Sequence, residues 1–517
     1  MQLKERRLRA FSNLPHAEYV ALGFAADNVV ALETAIRGQV VLPADHAYDA
    51  ARRQDNPAFN RFPRLIVYCE TPGDVRQALA FARHGGINVT CRSGGHSTAG
   101  YSVSNGGMVL DTSRMRYVHL TEPGSILSND QSPGTIYASV GPGSSWGYVG
   151  AFLDGYGLHV PGGGCDSVCV AGFMQGGGYG YTSRMYGMNC DNLVEAKVML
   201  ADGRIAIANQ RRNLPLFWAI RGGTGNNFGV LLEAAYRVHR PGPFWGFSIR
   251  WDIDHAPPAI LAIQDGYMKT NDSRRIGFET HCTTIDGRQA LLARGLYRGT
   301  EADGRNALRP LLSTPGAELE YSLTGGYYDL NRRHEDGIIA SVPAGAKEDK
   351  QSGYLRAPLT LAEWEHVIDM FSRTPNPYSV FNLEAYGAAI NAVPAGDNAF
   401  IHRDSYCNFF LDVFWLEDAD RDHAVRFLDE FMAMMQPYFD RPDGRPQANQ
   451  DYPRRTQTNY MSLYFDGFIN DIVTVKRLYD PTNFFRYEQS IPVDYPKDAR
   501  VAPSSPRFTG TEAIVVE

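Results

Sequence analysis

Three glycine-rich tracts constrain the fold of this sequence more than any other feature. They are "CRSGGHSTAGYS" (91–102), "HVPGGGCDSVCVAGFMQGGGYGYTSRMYGMNCDN" (159–192) and "RGGTGNNFGV" (221–230). So much glycine defeats helix and strand interiors alike, so the tracts read as loops whose bare backbone lets something bulky press against the main chain. The segments around the first tract are regular. "RLIVYCE" (64–70) has the pattern of a buried strand, and "TPGDVRQALAFARHGG" (71–86) that of a turn, a helix and a glycine stop. "INVTCRSGGHS" (87–97) runs from strand into loop, and "GGMVLDTSRM" (106–115) is a further strand. A strand–helix–strand unit therefore ends in a side-chain-poor loop with one imidazole, His96, at its centre.

Downstream, "TIYASVGPG" (135–143) predicts a strand and "SSWGYVGAFLDGYGL" (144–158) a helix. "LVEAKVMLADGRIAIAN" (193–209) predicts a hairpin turned at Asp202–Gly203. From about residue 242 the texture changes to antiparallel strands such as "WGFSIRWDI", "RRIGFETHCTTI" and "ALLARGLYRGT". These alternate with helices at "LAEWEHVIDMFSR" and "RDHAVRFLDEFMAMMQPYF". "FINDIVTVKRLYDPTNFFRYEQSIP" (468–492) is a helix followed by a Pro/Asn turn, and the Pro/Ser-rich tail beyond 497 is expected to be loosely held.

Bulk properties exclude several classes. A chain of 517 residues implies two or more domains. A net charge of −7 provides no basic footprint for nucleic acid or anionic membrane. No run approaches the ~18 consecutive apolar residues of a membrane span. The N-terminus, "MQLKERRLRAFSNLPHAEYV", lacks an apolar signal core, and seven scattered cysteines are too few for a disulfide scaffold. The expectation is a cytoplasmic protein, or a secreted one if a leader has been removed.

Phosphate motifs fail. There is no GxxxxGK[ST], and Gly223, Gly225 and Gly229 form GxGxxxG, not the dinucleotide GxGxxG. "GSSWG" (143–147) matches a hydrolase nucleophile elbow with Ser145 as nucleophile, a rival reading from another class. Cys165 and Cys169 are poorly spaced for zinc, and Cys169 reads as core packing. Cys165 differs, because "GGGCD" is a bare patch like the one around His96. Two reactive side chains framed by glycines on separate loops can face one flat guest.

At these residues the sequence resembles the flavin-linked oxidases of the vanillyl-alcohol oxidase superfamily, in the berberine-bridge-enzyme-like branch that includes oligosaccharide oxidases. "RSGGHS" is similar to the loop whose histidine bonds the flavin 8α-methyl, here His96. "PGGGCDSV" is similar to the loop whose cysteine bonds flavin C6, here Cys165. "VGPGSSWGYV", "GGGYGYTSRMYGMNCDN", "FWAIRGGTGNNFGV" and "YDPTNFFRYEQSIP" resemble further stretches of the branch. The likeness implies covalent FAD. On the first loop it would be held by Arg92, Ser93, Gly94, Gly95, Ser97, Gly100 and Tyr101, besides His96. On the second, Gly164, Val168, Gly172, Gly176, Gly177, Gly178, Tyr179 and Gly180 would join Cys165. Asn226, Gly229, Val230 and Tyr487 complete the implied set.

The implied reaction is loss of a substrate O–H proton to a base with hydride transfer to flavin N5, followed by reduction of O2 to hydrogen peroxide. Small Val168, three residues after the cysteine, implies oxygen access. The base implied by "NQDYPRR" (449–455) is Tyr452; with an ordinary pKa near ~10 it needs help. Glu384 in "SVFNLEAYGAA" and Asp412 in "NFFLDVFW" are candidate helpers, or acids facing solvent on an edge strand. Phe410 stands where alkaloid-cyclising relatives carry glutamate, and Phe173 where many relatives carry histidine.

The expected fold is therefore α+β: a two-part FAD-binding domain of the vanillyl-alcohol oxidase type (1–241, with 445–517 returning to it) and a substrate domain (242–444) with an antiparallel sheet flanked by helices. The expected partners are a small-molecule substrate and O2, with no nucleic acid, membrane or metal. The substrate is expected to be a sugar or oligosaccharide lactol oxidised to a lactone. A hydroxyl on a natural product, or a dehydrogenase with another acceptor, is the alternative.

Overall fold

A computed structural model describes residues 22–121, 135–268, 273–339, 342–495 and 507–516. The N-terminal stretch read above for a signal lies outside them, as does 498–506 of the tail. The chain builds three sheets. A four-stranded sheet has the order β1 (Gln39–Val41), β2 (Leu65–Tyr68), β4 (Met108–Asp111), β3 (Val89–Arg92). Its β2, β4 and β3 are parallel, and the crossover from β2 to β3 is the helix Pro72–His84. That helix starts where the sequence places it, because Thr71 Oγ1 accepts the Asp74 N–H at 3.2 Å and Pro72 needs no donor. Val75, Ala78, Leu79 and Ala82 then fall on one face and bury against Leu65, Val67, Val89 and Leu110. β3 delivers the chain directly into the His96 loop.

A five-stranded antiparallel sheet has the order β5 (Val118–Thr121), β6 (Ile136–Val140), β9 (Val230–Val238), β7 (Leu193–Met199), β8 (Ile205–Asn209). The glycine tract 159–192 and the helices Trp146–Asp154 and Val170–Gly176 lie between its strands in sequence. Its core also takes in Ala448, Met461, Tyr464, Ile472 and Ile491, so the C-terminal segment packs into the N-terminal part of the molecule. The expectation for the end of the tail needs correction. Phe508 is buried against Trp218, the Asn213 Nδ2 amide donates to Val515 O at 2.7 Å, and Val516 bridges to Ala206.

The third sheet is antiparallel and seven-stranded. Its order is β13 (Glu318–Gly325), β10 (Phe244–Asp252), β12 (Arg288–Arg298), β11 (Ile276–Ile285), β15 (Val380–Ala385), β16 (Cys407–Trp415), β14 (Lys347–Leu355). The two-residue alternation of strands assigns its faces. Phe278, Cys282, Phe381, Leu383, Phe409, Leu411 and Val413 face one side, against the helices Ala256–Ile263, Leu361–Ser372 and Arg421–Phe439. The last helix contributes Phe427, Leu428, Phe431, Met432 and Met435, spaced as one apolar stripe. The alternate residues Glu279, His281, Asn382, Glu384, Phe410, Asp412, Glu348 and Lys350 face the other way, into a cavity. Glu384 and Asp412 thus sit on interior strands, not on an edge.

Candidate active site

The cavity, about 720 Å³, lies where the polar face of the seven-stranded sheet meets all three glycine tracts and the 450–453 loop. Of the expected cofactor residues, His96, Cys165, Arg92, Ser93, Gly94, Gly95, Ser97, Tyr101, Gly164, Val168, Gly172, Gly176, Tyr179, Asn226, Gly229, Val230 and Tyr487 all line it. So do Tyr452, Glu384 and Asp412. The His96 and Cys165 loops touch through glycine: a Cβ at Gly94 would stand 3.1 Å from Ser167 O and from Cys169 N. Gly95, just before His96, has φ +80°, open to glycine at no steric cost. Asp55 approaches His96 Nδ1 at 3.3 Å, and this contact holds the Asp55 carboxyl below its usual range. The Cys165 thiol lies 3.3 Å from Ser167 Oγ; burial and then Glu335 push its pKa up.

Four expected glycines do not line the cavity among the described residues, and packing explains each. A Cβ at Gly100 would strike the Phe59 ring at 2.4 Å, and one at Gly177 the Phe400 ring at 2.4 Å. One at Gly178 would meet Phe173 at 2.5 Å, and one at Gly180 the Gly162 carbonyl at 1.9 Å. Arg92 is already engaged, buried against Asp111 with Nε donating at 2.5 Å. Ser145 caps the helix Trp146–Asp154, accepting the Tyr148 N–H at 3.3 Å. No histidine hydrogen-bonds it among the described residues, so the hydrolase reading loses its base. Among the same residues no His/Cys/Asp/Glu cluster suits a metal.

On the sheet side, Tyr452 Oη donates to Glu384 Oε1 at 2.5 Å, and Asn408 Nδ2 donates to Glu384 Oε2 at 2.8 Å. Asn408 is the β16 partner of Glu384 in register, so the strand pairing positions this donor. Burial pushes the Glu384 carboxyl up to about 7 against both hydrogen bonds and the Lys350 charge. Burial, with Glu384 alongside, holds the Tyr452 phenol well above its ordinary pKa. Phe410 packs on the Tyr452 ring with centroids 4.6 Å apart, and Lys350 Nζ lies 4.8 Å from the same ring centre. Lys350 bridges Asp412 at 3.1 Å and Glu348 at 3.2 Å. Burial opposes its charge, but the two carboxylates outweigh it and raise its pKa. Asp451 accepts the Gly178 N–H at 2.9 Å, yet burial still lifts its carboxyl to about 8.

Sequence reasoning missed Asp55, Glu279, His281, Glu335, Glu348, Lys350, Asn382 and Asp451. The signal for the strand residues was there as charged or polar pairs two apart, Glu279/His281 and Glu348/Lys350.

Two observations bear on what the cavity holds. Both amide atoms of Asn226 and the Tyr101 hydroxyl are buried in its wall with no hydrogen-bond partner among the described residues. Such groups call for a polar guest. At Gly172 a Cβ would meet nothing within 4 Å, so the bare backbone faces open space. A large ligand with a flat ring and many heteroatoms, as FAD is, fits both.

Comparison with known proteins agrees. Residues 63–209 match the FAD binding domain family, and residues 447–492 match the family described as berberine and berberine like. An FAD-linked oxidoreductase of Bacillus subtilis is 27% identical, over 89% of this chain and 98% of its own length. A chitooligosaccharide oxidase of Gibberella zeae is 25% identical, over 88% of this chain and 93% of its own. The solved structure of a glucooligosaccharide oxidase from Acremonium strictum, described with a 6-S-cysteinyl, 8α-N1-histidyl FAD, superposes with a TM-score of 0.77 at 20% identity. It covers 90% of this chain and 99% of that one. No helix of the described residues is long and apolar enough to cross a membrane. The chain thus carries an FAD binding domain and a berberine-like segment, and is an FAD-linked oxidoreductase.

Proposed function

We propose that this protein is an FAD-dependent alcohol oxidase acting on a sugar or oligosaccharide, taking the C1 hydroxyl to a lactone. The observation that carries this reading is the Tyr452–Glu384 pair facing the His96 and Cys165 loops across one cavity. His96 and Cys165 would tether the cofactor, as in the glucooligosaccharide oxidase, and residues 242–444 would form the substrate unit. When bound, FAD would supply the hydride acceptor for the carbinol carbon and the route of its electrons to O2 as hydrogen peroxide.

The remaining chemistry belongs to the chain. Tyr452 Oη takes the substrate hydroxyl proton while its own proton passes to Glu384, already its acceptor. Asn408 fixes the receiving carboxylate, and the Lys350 ammonium beside the tyrosine ring steadies negative charge developing there. Val168 lies in the cavity wall, where a small side chain suits O2 access, and Phe410, unable to take a proton, argues against ring-closing chemistry.

The test is oxygen uptake with equimolar peroxide release on a panel of mono- and oligosaccharides. Stoichiometric peroxide with lactone formation is expected. Reduction of the flavin by a sugar without reoxidation in air would replace oxidase by dehydrogenase.

A further inference from the structure

We propose that Asp451 borders the cofactor ring as a neutral carboxylic acid and keeps its proton while the ring takes up negative charge on reduction. This rests on FAD occupying the cavity, and not on which sugar reduces it.

The helix Val170–Gly176 supplies the geometry. Gly172 and Gly176 are four residues apart and so share one helix face. Both line the cavity, and a Cβ on Gly172 would meet nothing within 4 Å, so this face is open to a guest. A Cβ on Gly176, one turn further, would lie 1.9 Å from Asp451 Oδ1. The Asp451 carboxyl therefore fills the place of the missing side chain at Gly176, on the same face as the bare backbone at Gly172. Its other oxygen accepts the Gly178 N–H at 2.9 Å, which fixes its orientation. Asp451 lines the cavity and is only partly buried in its wall. The next residue, Tyr452, carries the proposed proton route, so Asp451 stands where the substrate and cofactor sides of the cavity meet.

Little around Asp451 favours a negative charge. The titratable groups near it are Glu384 on β15, Tyr354 on β14, Cys190 in the turn Asn189–Asn192, and Tyr452. None of these carries positive charge, and among the described residues no lysine or arginine stands at ion-pair distance from Asp451. The carboxyl also abuts the C-terminal end of the helix Val170–Gly176, where the backbone dipole opposes further negative charge. Burial and then Glu384 lift its pKa to about 8, against the Gly178 hydrogen bond. A ring that accepts a hydride gains one negative charge. A neutral acid can donate a hydrogen bond towards that charge, whereas a carboxylate would repel it. Below pH about 8 Asp451 already holds its proton, and reduction takes up one proton per electron pair, for the ring. Above that pH Asp451 starts ionised and takes a second proton from solvent as the ring becomes negative.

The test is a mediated electrochemical titration of the flavin-loaded enzyme and of Asp451→Asn, from neutral pH to about 9.5. Asparagine keeps an oxygen for the Gly178 N–H and is neutral at every pH. The two midpoint potentials should agree near neutral pH and part above about 8, the parent becoming the harder to reduce. There the parent's proton uptake per electron pair should rise from one towards two, while the variant's stays at one. The Tyr354 and Tyr452 phenols and the Cys190 thiol are held above this window by burial, and Glu384 ionises in both proteins. Coincident potentials at every pH would place Asp451 away from the ring, and a constant offset would mean that it is ionised throughout; either overturns the proposal. The electrode supplies the electrons, so the outcome is separate from that of the sugar panel. Potentials that part above pH about 8 in an enzyme that no sugar reduces keep Asp451 and remove sugar oxidation. Reduction by a sugar, with potentials that coincide, does the reverse.

Discussion

Replacing Tyr452 by phenylalanine removes one oxygen and leaves the surroundings intact. The ring keeps its packing on Phe410, at 4.6 Å between centroids, and its place 4.8 Å from Lys350 Nζ. Two things are lost. On the proposed route the substrate hydroxyl loses its proton acceptor, and Glu384 loses the donor at 2.5 Å, keeping only Asn408 at 2.8 Å. Because that lost bond holds the Glu384 pKa down, the carboxyl rises further above about 7 and is largely protonated at neutral pH. A positioned general base contributes ~10²–10⁴ in rate, or about 2.7–5.5 kcal/mol of barrier. Anaerobic stopped-flow reduction of the flavin at saturating sugar should therefore slow by at least ~10²-fold. Thermal stability should change little, because the buried carboxyl escapes its desolvation penalty by taking up a proton. A fully flavinylated Tyr452→Phe enzyme reduced within about tenfold of the parent rate would refute the proton route through Tyr452.

The same route fixes a pH dependence. Glu384 must be ionised to receive the proton, and burial lifts its pKa to about 7, so flavin reduction should rise with pH through that value and fall away below it. Glu384→Gln should be slow and lack this inflection; an unchanged inflection would assign it to another group. The glycines divide into two kinds. Gly180→Ala drives a Cβ to 1.9 Å from the Gly162 carbonyl and should cost about 1–3 kcal/mol of stability. Gly172→Ala meets no protein atom within 4 Å and sits in the helix Val170–Gly176, so the fold should hold while flavin content drops. Full flavin loading of Gly172→Ala would place the cofactor away from that backbone.

What could be read in the sequence was local. The strand–helix–strand unit ending at His96 is written in consecutive residues, from the Thr71–Pro72 cap to the apolar run of β3. The glycine frames of His96 and Cys165 are equally local. The rest depends on what covers what. Glu279, His281, Glu348 and Lys350 have the alternation of an ordinary solvent-facing sheet surface, and only the 450–453 loop and the glycine tracts laid over them make a cavity floor. Likewise, nothing in "GGGYGY" distinguishes Gly176, which lines the cavity, from Gly177 and Gly180, bared by Phe400 and by the Gly162 carbonyl. The end of the tail reads as loose because its docking partners, Asn213 and Trp218, lie some three hundred residues earlier.

His96 and Cys165, on the proposed reading, converge on one flavin. Acid precipitation of the purified protein, followed by proteolysis and mass spectrometry of the yellow peptides, tests it directly. Colour should stay in the pellet and flavin mass should appear on both the His96 and the Cys165 peptides, with His96→Ala and Cys165→Ala each retaining one bond and only the double variant releasing FAD. A colourless pellet, or release of FAD by either single variant, would contradict it.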